Sequence, residues 1–458
     1  MGSQPRPGLS MGAGTVAPGD ALLTDQYTIT MAQSFWIHDQ ADEQASFELF
    51  VRSLPEHRGF LLAAGLETAV DYLRHWHFSD EDLAFLATQG IYKLGFIDYL
   101  SKLRFDGDLD AIPEGTVIPA QAPILRIRAP RAVASMVESA LLTLINHQTM
   151  IASKAARVVS AADGRAVWDF SLRRLHGLGG AFGVARAAYI AGCAGTATVA
   201  AGRELGIPTT GTMAHHYVQG FGRDHEQQAF EQFLEDYPDN GVLLVDTYDT
   251  IEGTKRAMAA SRSTGIVPKA LRLDSGDLEV LSKQVRQILD EAGFNQTLIL
   301  ASNDLDEYKI AALLGAGAPI DAFGVGTMLG TSADAPYLGG VYKAVSQETK
   351  DQRPEMLMKL APGKLTDPGH HQIWRDKNSY LLALEGESVD SRYQEVLLAP
   401  VLKDGELTSA LPSLEEIKGR AQFELGELPV ACQALNDPQP LQLQRSPGLQ
   451  ELRQQLST

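Results

Sequence analysis

Residues 269–281 read KALRLDSGDLEVL, and the character of the chain changes twice within them. Lys269 to Asp274 is a short β-like run, Ser275 to Asp277 a polar turn, and from Leu278 apolar residues return at helical spacing as far as Ala292. The same unit recurs on both sides. Further β-like runs stand at RAVWDF (165–170), IPTTGT (207–212), VLLVD (242–246), TLILAS (297–302) and IDAFGVG (320–326). Helical patterns are expected between or after them at Asp224–Leu234, Thr250–Ser263 and Leu305–Leu314. Strands that alternate with helices are parallel, because a tight hairpin joins only antiparallel neighbours and a crossover returns the chain in the same direction.

Unusual polar residues gather where each of these runs ends: Asp169–Arg174, Gly211–His216, Asp246–Thr250, Asp274–Asp277, Ser302–Asp304 and Gly324–Thr327. A β/α barrel of the TIM type builds its site at the C-terminal ends of all its strands, whereas an open doubly wound sheet concentrates it at one switch point. Polar turns in register with so many strand ends predict the barrel. The expected division is a lead-in over 1–20, an N-terminal part over 21–130, the barrel over 131–345, and a C-terminal part over 346–458.

The flanks read differently. LLTDQYTITMAQSFW looks helical, ASFELFVRSLP alternates like a strand, and residues 59–75 look helical again. Pro113, Pro119, Pro123 and Pro130 punctuate extended pieces that end in ILRIRAP, and Ala132 to Val159 reads as one long apolar helix. Beyond Ser346 come strands in KLTDPGHHQIWRD and SYLLALEG, then short helices over 414–424 and 448–456. These ends are expected to pack together as a second α/β domain.

Composition narrows the function. A net charge of -18 without a long basic run argues against nucleic acid, which is bound by clustered Lys and Arg that displace counterions. It leaves room for anionic substrates, since a few converging arginines make a local positive site. Only Cys193 and Cys432 are present, which suggests a reducing, cytoplasmic setting, and Cys193 reads as a small core residue. MGSQPRPGLSMGAGTVAPGD has no apolar centre and is not read as a signal peptide. The Gly/Ala-rich stretch 187–202 is short of the roughly 20 apolar residues that span a bilayer.

Several clusters carry chemistry, each beside a plainer reading. Gly324, Gly326 and Gly330 let backbone N–H groups approach an anion, late in the barrel where phosphate is often bound; otherwise they mark a glycine-rich turn. Arg173 and Arg174 match a diphosphate bidentately or are surface charges, with Arg173 the one expected to enter the site. Phe170 stacks on a flat heterocycle or fills core. In LRLDSGD, Asp274 or Ser275 is expected to cap a helix starting near Gly276, which leaves Arg272 for an anion and the other carboxylate for Mg²⁺ or ribose hydroxyls. Asp246 and Asp249 stand comparably. His215 and His216 lack metal-pair spacing, so a nucleophilic or a structural histidine is expected instead.

Taken together, LLTDQYTITM, FIDYLSKLRFDGDL, DFSLRRLHG, GTMAHHYVQGF, LLVDTYDTIEGTKRA, LRLDSGDL, DAFGVGTMLGTS and KLAPGKLTDPG resemble, in order, the nicotinate phosphoribosyltransferase family. The resemblance implies an irregular α/β barrel, a second α/β domain built from both chain ends, and a homodimer with shared active sites. It implies that nicotinate, phosphoribosyl pyrophosphate, ATP and water give nicotinate mononucleotide, pyrophosphate, ADP and phosphate. It implies phosphorylation of His215, an aromatic partner for the pyridine at Tyr27, and a nicotinate contact at Thr212. The resulting expectation gives catalysis to His215, Asp274, Asp277 and Arg173, and nicotinate binding to Tyr27, Phe170, Thr212 and Arg272. Ser275, Gly324, Gly326 and Thr327 are expected to hold the phosphoribosyl group, and Asp249 with Asp274 to hold Mg²⁺. Two positions depart from the family pattern: His216 replaces a usual Ser, and Ser171 a frequent Gly. The rival readings are a nicotinamide-using enzyme of the same fold and a non-catalytic binding protein that retains it.

Overall fold

The computed structural model describes residues 19–348, 354–361 and 364–457. The expected lead-in, Gly19 and Asp20 apart, lies outside the described residues. The chain divides into two compact units, one taking it up to Met150 and again from Tyr337, the other spanning Ile151–Pro336. The first division falls inside the Glu138–Ala161 helix, later than the expected residue 131, because a continuous helix leaves no break in composition to mark it.

In the second unit a six-stranded sheet runs in the order Gly195–Thr196, Ala166–Asp169, Ala322–Val325, Leu298–Ala301, Ala270–Leu273, Val242–Leu244, all parallel. Val242–Leu244, Ala270–Leu273 and Ala322–Val325 are buried along their whole length, as parallel strands covered on both faces are. The helices expected from the sequence are Glu226–Asp236, Thr250–Thr264, Leu278–Glu291 and Glu307–Gly315. Asp277, rather than Asp274 or Ser275, caps the third of these by accepting from the Val280 N–H. The helix therefore starts at Leu278, two residues beyond the expected Gly276, and the Asp274 carboxylate is left for other partners.

IPTTGT is not a strand. Only Thr209 makes a bridge, to Thr196, and the strand belongs to Gly195–Thr196. The close approach needs glycine: a Cβ at position 195 would stand 2.1 Å from the Pro208 carbonyl oxygen. The ladders present do not close the sheet into a ring, so the parallel α/β architecture is established and the closed barrel is not.

The first unit centres on Gln44–Val51, which pairs antiparallel with Pro123–Pro130 on one side and Gly340–Glu348 on the other. That pairing of an early with a late strand explains why both chain ends share one unit. The sheet has seven strands, and a four-stranded sheet contains His371–Asp376 and Ser379–Leu384. The long helix expected from Ala132 is two helices, Arg131–Met136 and Glu138–Ala161. Residues 59–75 give a short Leu61–Leu62 strand before the Leu66–His75 helix, which starts after Gly65 at φ 103°. Pro447–Ser457 and Leu414–Glu427 are helical as expected.

Candidate active site

Side chains at alternate strand positions share a face, so Arg272 and Asp274 project together from the end of Ala270–Leu273. The Arg272 guanidinium is held on every side. Its Nε donates to Ser302 Oγ (2.9 Å), Nη2 to Asp274 Oδ1 (2.7 Å) and Nη1 to Thr212 Oγ1 (3.4 Å). Its Cζ lies 5.4 Å from the Phe170 ring centroid, a cation–π arrangement. Phe170 is fixed from the other direction: its N–H donates to Val325 O (2.9 Å), and a Cβ on Gly324 would come within 2.4 Å of the ring.

Asp274 joins this group to His215. Its Oδ1 also accepts from the Ser302 hydroxyl, and its Oδ2 lies 3.7 Å from His215 Nε2. Burial raises the Asp274 pKa, but the Arg272 charge, the hydrogen bonds from Ser302 and Arg272, and His215 together hold it below the usual carboxylate value. His215, the first residue of the His215–Phe221 helix, turns its Nδ1 to Thr247 Oγ1 at 3.2 Å. Beneath them Asp246 Oδ2 accepts from the Asp274 N–H (2.9 Å) and the Ser275 hydroxyl (2.6 Å). Its Oδ1 is buried without a hydrogen-bond partner among the described residues.

The structure thus brings Phe170, Thr212, His215, Arg272, Asp274, Ser275 and Gly324 into one contact set. Gly326 borders it, with a built Cβ 3.3 Å from Phe170 O, and Thr327 opens the short Thr327–Gly330 helix beyond. Asp277 and Asp249 stand apart from the set, each with one carboxylate oxygen capping its own helix; Asp249 accepts from the Glu252 N–H at 2.8 Å. Arg173 and Arg174 lie exposed in a 3₁₀ turn, Leu172–Arg174. Tyr27 belongs to the first unit, where it is 48% exposed, and partial burial with the nearby Glu138 carboxylate raises the pKa of its hydroxyl. His216 is exposed beside His215.

Ser171 needs no glycine conformation. Its backbone is right-handed helical (φ -85°), and its N–H and hydroxyl both donate to Asp169 Oδ1. Cys193 is buried, as its Ala/Gly surroundings suggest. Thr247 and Ser302, which hydrogen-bond to His215 and to Arg272 and Asp274, also belong to this group but carry no role in the sequence reading. The available signal was position, since Thr247 directly follows the VLLVD run and Ser302 ends the TLILAS run.

Family models cover most of the chain in three consecutive pieces. The nicotinate phosphoribosyltransferase N-terminal domain matches residues 22–146, the family model proper 166–351, and the C-terminal domain 385–453. A nicotinate phosphoribosyltransferase of Mycobacterium tuberculosis is 42% identical over 422 residues, covering 91% of this chain and 89% of that protein. One from Bacillus subtilis is 42% identical over 374 residues, 81% of this chain and 76% of that protein. The crystal structure of human nicotinic acid phosphoribosyltransferase superposes with a TM-score of 0.83 at 27% identity, covering 94% of this chain and 99% of that one. With relatives this similar along nearly its whole length, the chain belongs to the nicotinate phosphoribosyltransferase family.

Proposed function

We propose that the protein transfers the phosphoribosyl group of phosphoribosyl pyrophosphate to the ring nitrogen of nicotinate, for NAD synthesis, with ATP hydrolysis coupled through His215. The observation that carries this reading is the Arg272 guanidinium stacked on Phe170 and bridged by Asp274 to His215. A planar aromatic acid has complementary needs: a ring face and a cation for its carboxylate. Phe170, Thr212 and Arg272 supply them. The pyridine nitrogen lone pair forms the new C–N bond while the anomeric C–O bond breaks, and its electron pair leaves with pyrophosphate through an oxocarbenium-like state. Arg173, Ser275, Gly324, Gly326 and Thr327 are assigned to the phosphoribosyl and diphosphate oxygens, and Asp277 to a supporting role on the same loop.

Mg²⁺ fits the residues present. Asp246 Oδ1 is a buried carboxylate oxygen without a hydrogen-bond partner among the described residues, and Asp274 stands beside it on the next strand end. Two carboxylates completed by substrate oxygens suit this hard cation; Asp249, the other expected ligand, caps its own helix apart from them, and no third side-chain ligand joins them among the described residues. The ion, when bound, neutralises charge building on the departing pyrophosphate. At His215, the Asp274 carboxylate favours a proton on Nε2 and leaves the Nδ1 lone pair to attack the γ-phosphorus of ATP. ADP leaves, and water later releases phosphate.

The same reading extends to assembly and setting. Tyr27 and Met31 are exposed one turn apart on the Gln26–Ile37 helix, with Leu23 exposed in the bend before it, which suits a homodimer in which Tyr27 serves the partner's nicotinate site. The strand order is the cyclic order of the sequence, with Thr209 extending one edge, which suits an irregular barrel. Two buried free cysteines suit the cytoplasm, and no described helix is long and apolar enough to cross a membrane. The test supplies Mg²⁺ and phosphoribosyl pyrophosphate with nicotinate, nicotinamide or quinolinate, with and without ATP. Nicotinate mononucleotide, stimulated by ATP, is expected; its absence under every condition sinks the reading, and a preference for nicotinamide gives the site to the amide.

A further inference from the structure

We infer that Ser302 is a positioning residue that locks Arg272 and Asp274 into one rigid clamp for the substrate carboxylate. The inference rests on the reading of Arg272 as a nicotinate contact. Ser302 is 3% exposed and is the first residue beyond the Leu298–Ala301 strand. Its N–H donates to Leu273 O at 2.9 Å, which carries the parallel ladder one step past the strand end and sets its side chain beside the neighbouring strand's last residues. The chain then turns away through Asn303 (φ 112°) and Asp304 (φ 43°), two left-handed residues in succession. Ser302 is therefore the residue of its segment placed to reach both partners.

A hydroxyl carries one proton and two lone pairs, so it donates and accepts at once. Ser302 uses both capacities: it accepts from Arg272 Nε (2.9 Å) and donates to Asp274 Oδ1. The same Oδ1 receives Arg272 Nη2 at 2.7 Å, closing a three-membered ring of hydrogen bonds. That ring fixes the plane of the guanidinium over Phe170 and, with Nη1 giving one hydrogen to Thr212, leaves one N–H on each of Nη1 and Nη2 for an anion. Without the hydroxyl, Nε and Oδ1 each lose a partner, and the guanidinium keeps only its bonds to Asp274 and Thr212 to hold its plane. A serine that only filled space at a strand end would affect stability, not the affinity for a carboxylate.

The test uses the full-length enzyme with Mg²⁺, phosphoribosyl pyrophosphate and nicotinate. Ser302→Ala is expected to raise the nicotinate KM about tenfold or more, as for loss of a hydrogen bond to a charged group, with the phosphoribosyl pyrophosphate KM changed less than about threefold. Ser302→Cys, which keeps the volume but hydrogen-bonds weakly, reads the same quantity if the alanine variant does not fold, and Ser302→Thr restores the KM to within about threefold. In an Arg272→Gln background, Ser302→Ala is expected to add less than about threefold, because its effect runs through Arg272. Unchanged nicotinate KM in both small variants, or full additivity in the double variant, overturns the role. Arg272→Gln with an unchanged nicotinate KM overturns the Arg272 reading itself, and this inference with it.

Discussion

His215 Nε2 stands 3.7 Å from Asp274 Oδ2, while its Nδ1 faces the Thr247 hydroxyl at 3.2 Å. The two ring nitrogens thus have different neighbours, one carboxylate and one hydroxyl. His215→Ala is expected to abolish stimulation by ATP and leave a basal rate of nicotinate mononucleotide formation. Full ATP stimulation in that variant removes the phosphohistidine role. His216, exposed next to it, is a separate probe: His216→Ser tests whether the second imidazole alters the ratio of ATP consumed to mononucleotide made.

Gly324 presses on Phe170 so closely that a methyl group at position 324 would meet the ring at 2.4 Å. Gly324→Ala must displace either the ring or the strand, at a cost of about 1–3 kcal/mol for overpacking. Displacing the ring also withdraws the face on which Arg272 rests. The expected result is a lower melting temperature together with a raised nicotinate KM. Gly419→Ala, at a helical position where an added Cβ meets nothing within 4 Å, is the control and is expected to stabilise by about 0.5–1 kcal/mol. If Gly324→Ala binds nicotinate normally, the Phe170 ring has no part in its recognition.

The sequence made the strand ends legible because burial on both faces demands a short apolar run, and the polar residues that follow each run stand out against it. Arg272 and Asp274 were readable for that reason. Gly195–Thr196 was not, since a strand made of glycine and threonine inside an Ala/Gly-rich stretch has no apolar run to display, and its need for glycine comes from Pro208, distant in sequence. The cap was misplaced by a few residues because Asp274, Ser275 and Asp277 are all good caps, and only the backbone decides which one accepts from a helix N–H. Thr247 and Ser302 stood within the strand-end polar clusters, but their roles were not legible, because a hydroxyl has no distinctive pattern and what it does depends on what faces it across the sheet.

Lys154 and Glu307 form a buried pair at 2.5 Å, with Asp334 2.8 Å from the ammonium and Arg157 Nε 3.0 Å from the carboxylate. Removing one partner strands the other charge, so Glu307→Gln is expected to cost about 3–5 kcal/mol, measured by denaturant unfolding at neutral pH. Burial raises the Glu307 pKa, but Lys154 and the hydrogen bonds it and Arg157 make hold it below its usual value in the folded protein. The folded pKa is lowered, so the contribution is present above the unfolded value of about 4.3 and is lost as pH falls through the folded one. Wild-type stability should therefore fall more steeply than that of Glu307→Gln below about pH 4. Parallel pH profiles would mean that Glu307 is protonated, or compensated, in both states.

Leu23, Tyr27 and Met31 follow one another at intervals of four, and are 39%, 48% and 38% exposed. Tyr27 and Met31 share a face of the Gln26–Ile37 helix, Leu23 lies in the bend just before it, and exposed aromatic and apolar groups there suit burial against a second copy. If Tyr27 completes the nicotinate site of the partner, Tyr27→Ala and Arg272→Gln damage the same site from different subunits. Each variant alone is expected to bind nicotinate poorly. Mixed, dissociated and reassociated, half of the dimers pair one variant with the other, and in each of those one site regains both residues while its twin loses both. Activity should then recover to about a quarter of wild type, the statistical limit for a two-fold symmetric dimer. A mixture no more active than its components, with exchange verified by a tagged subunit, places Tyr27 outside the shared site.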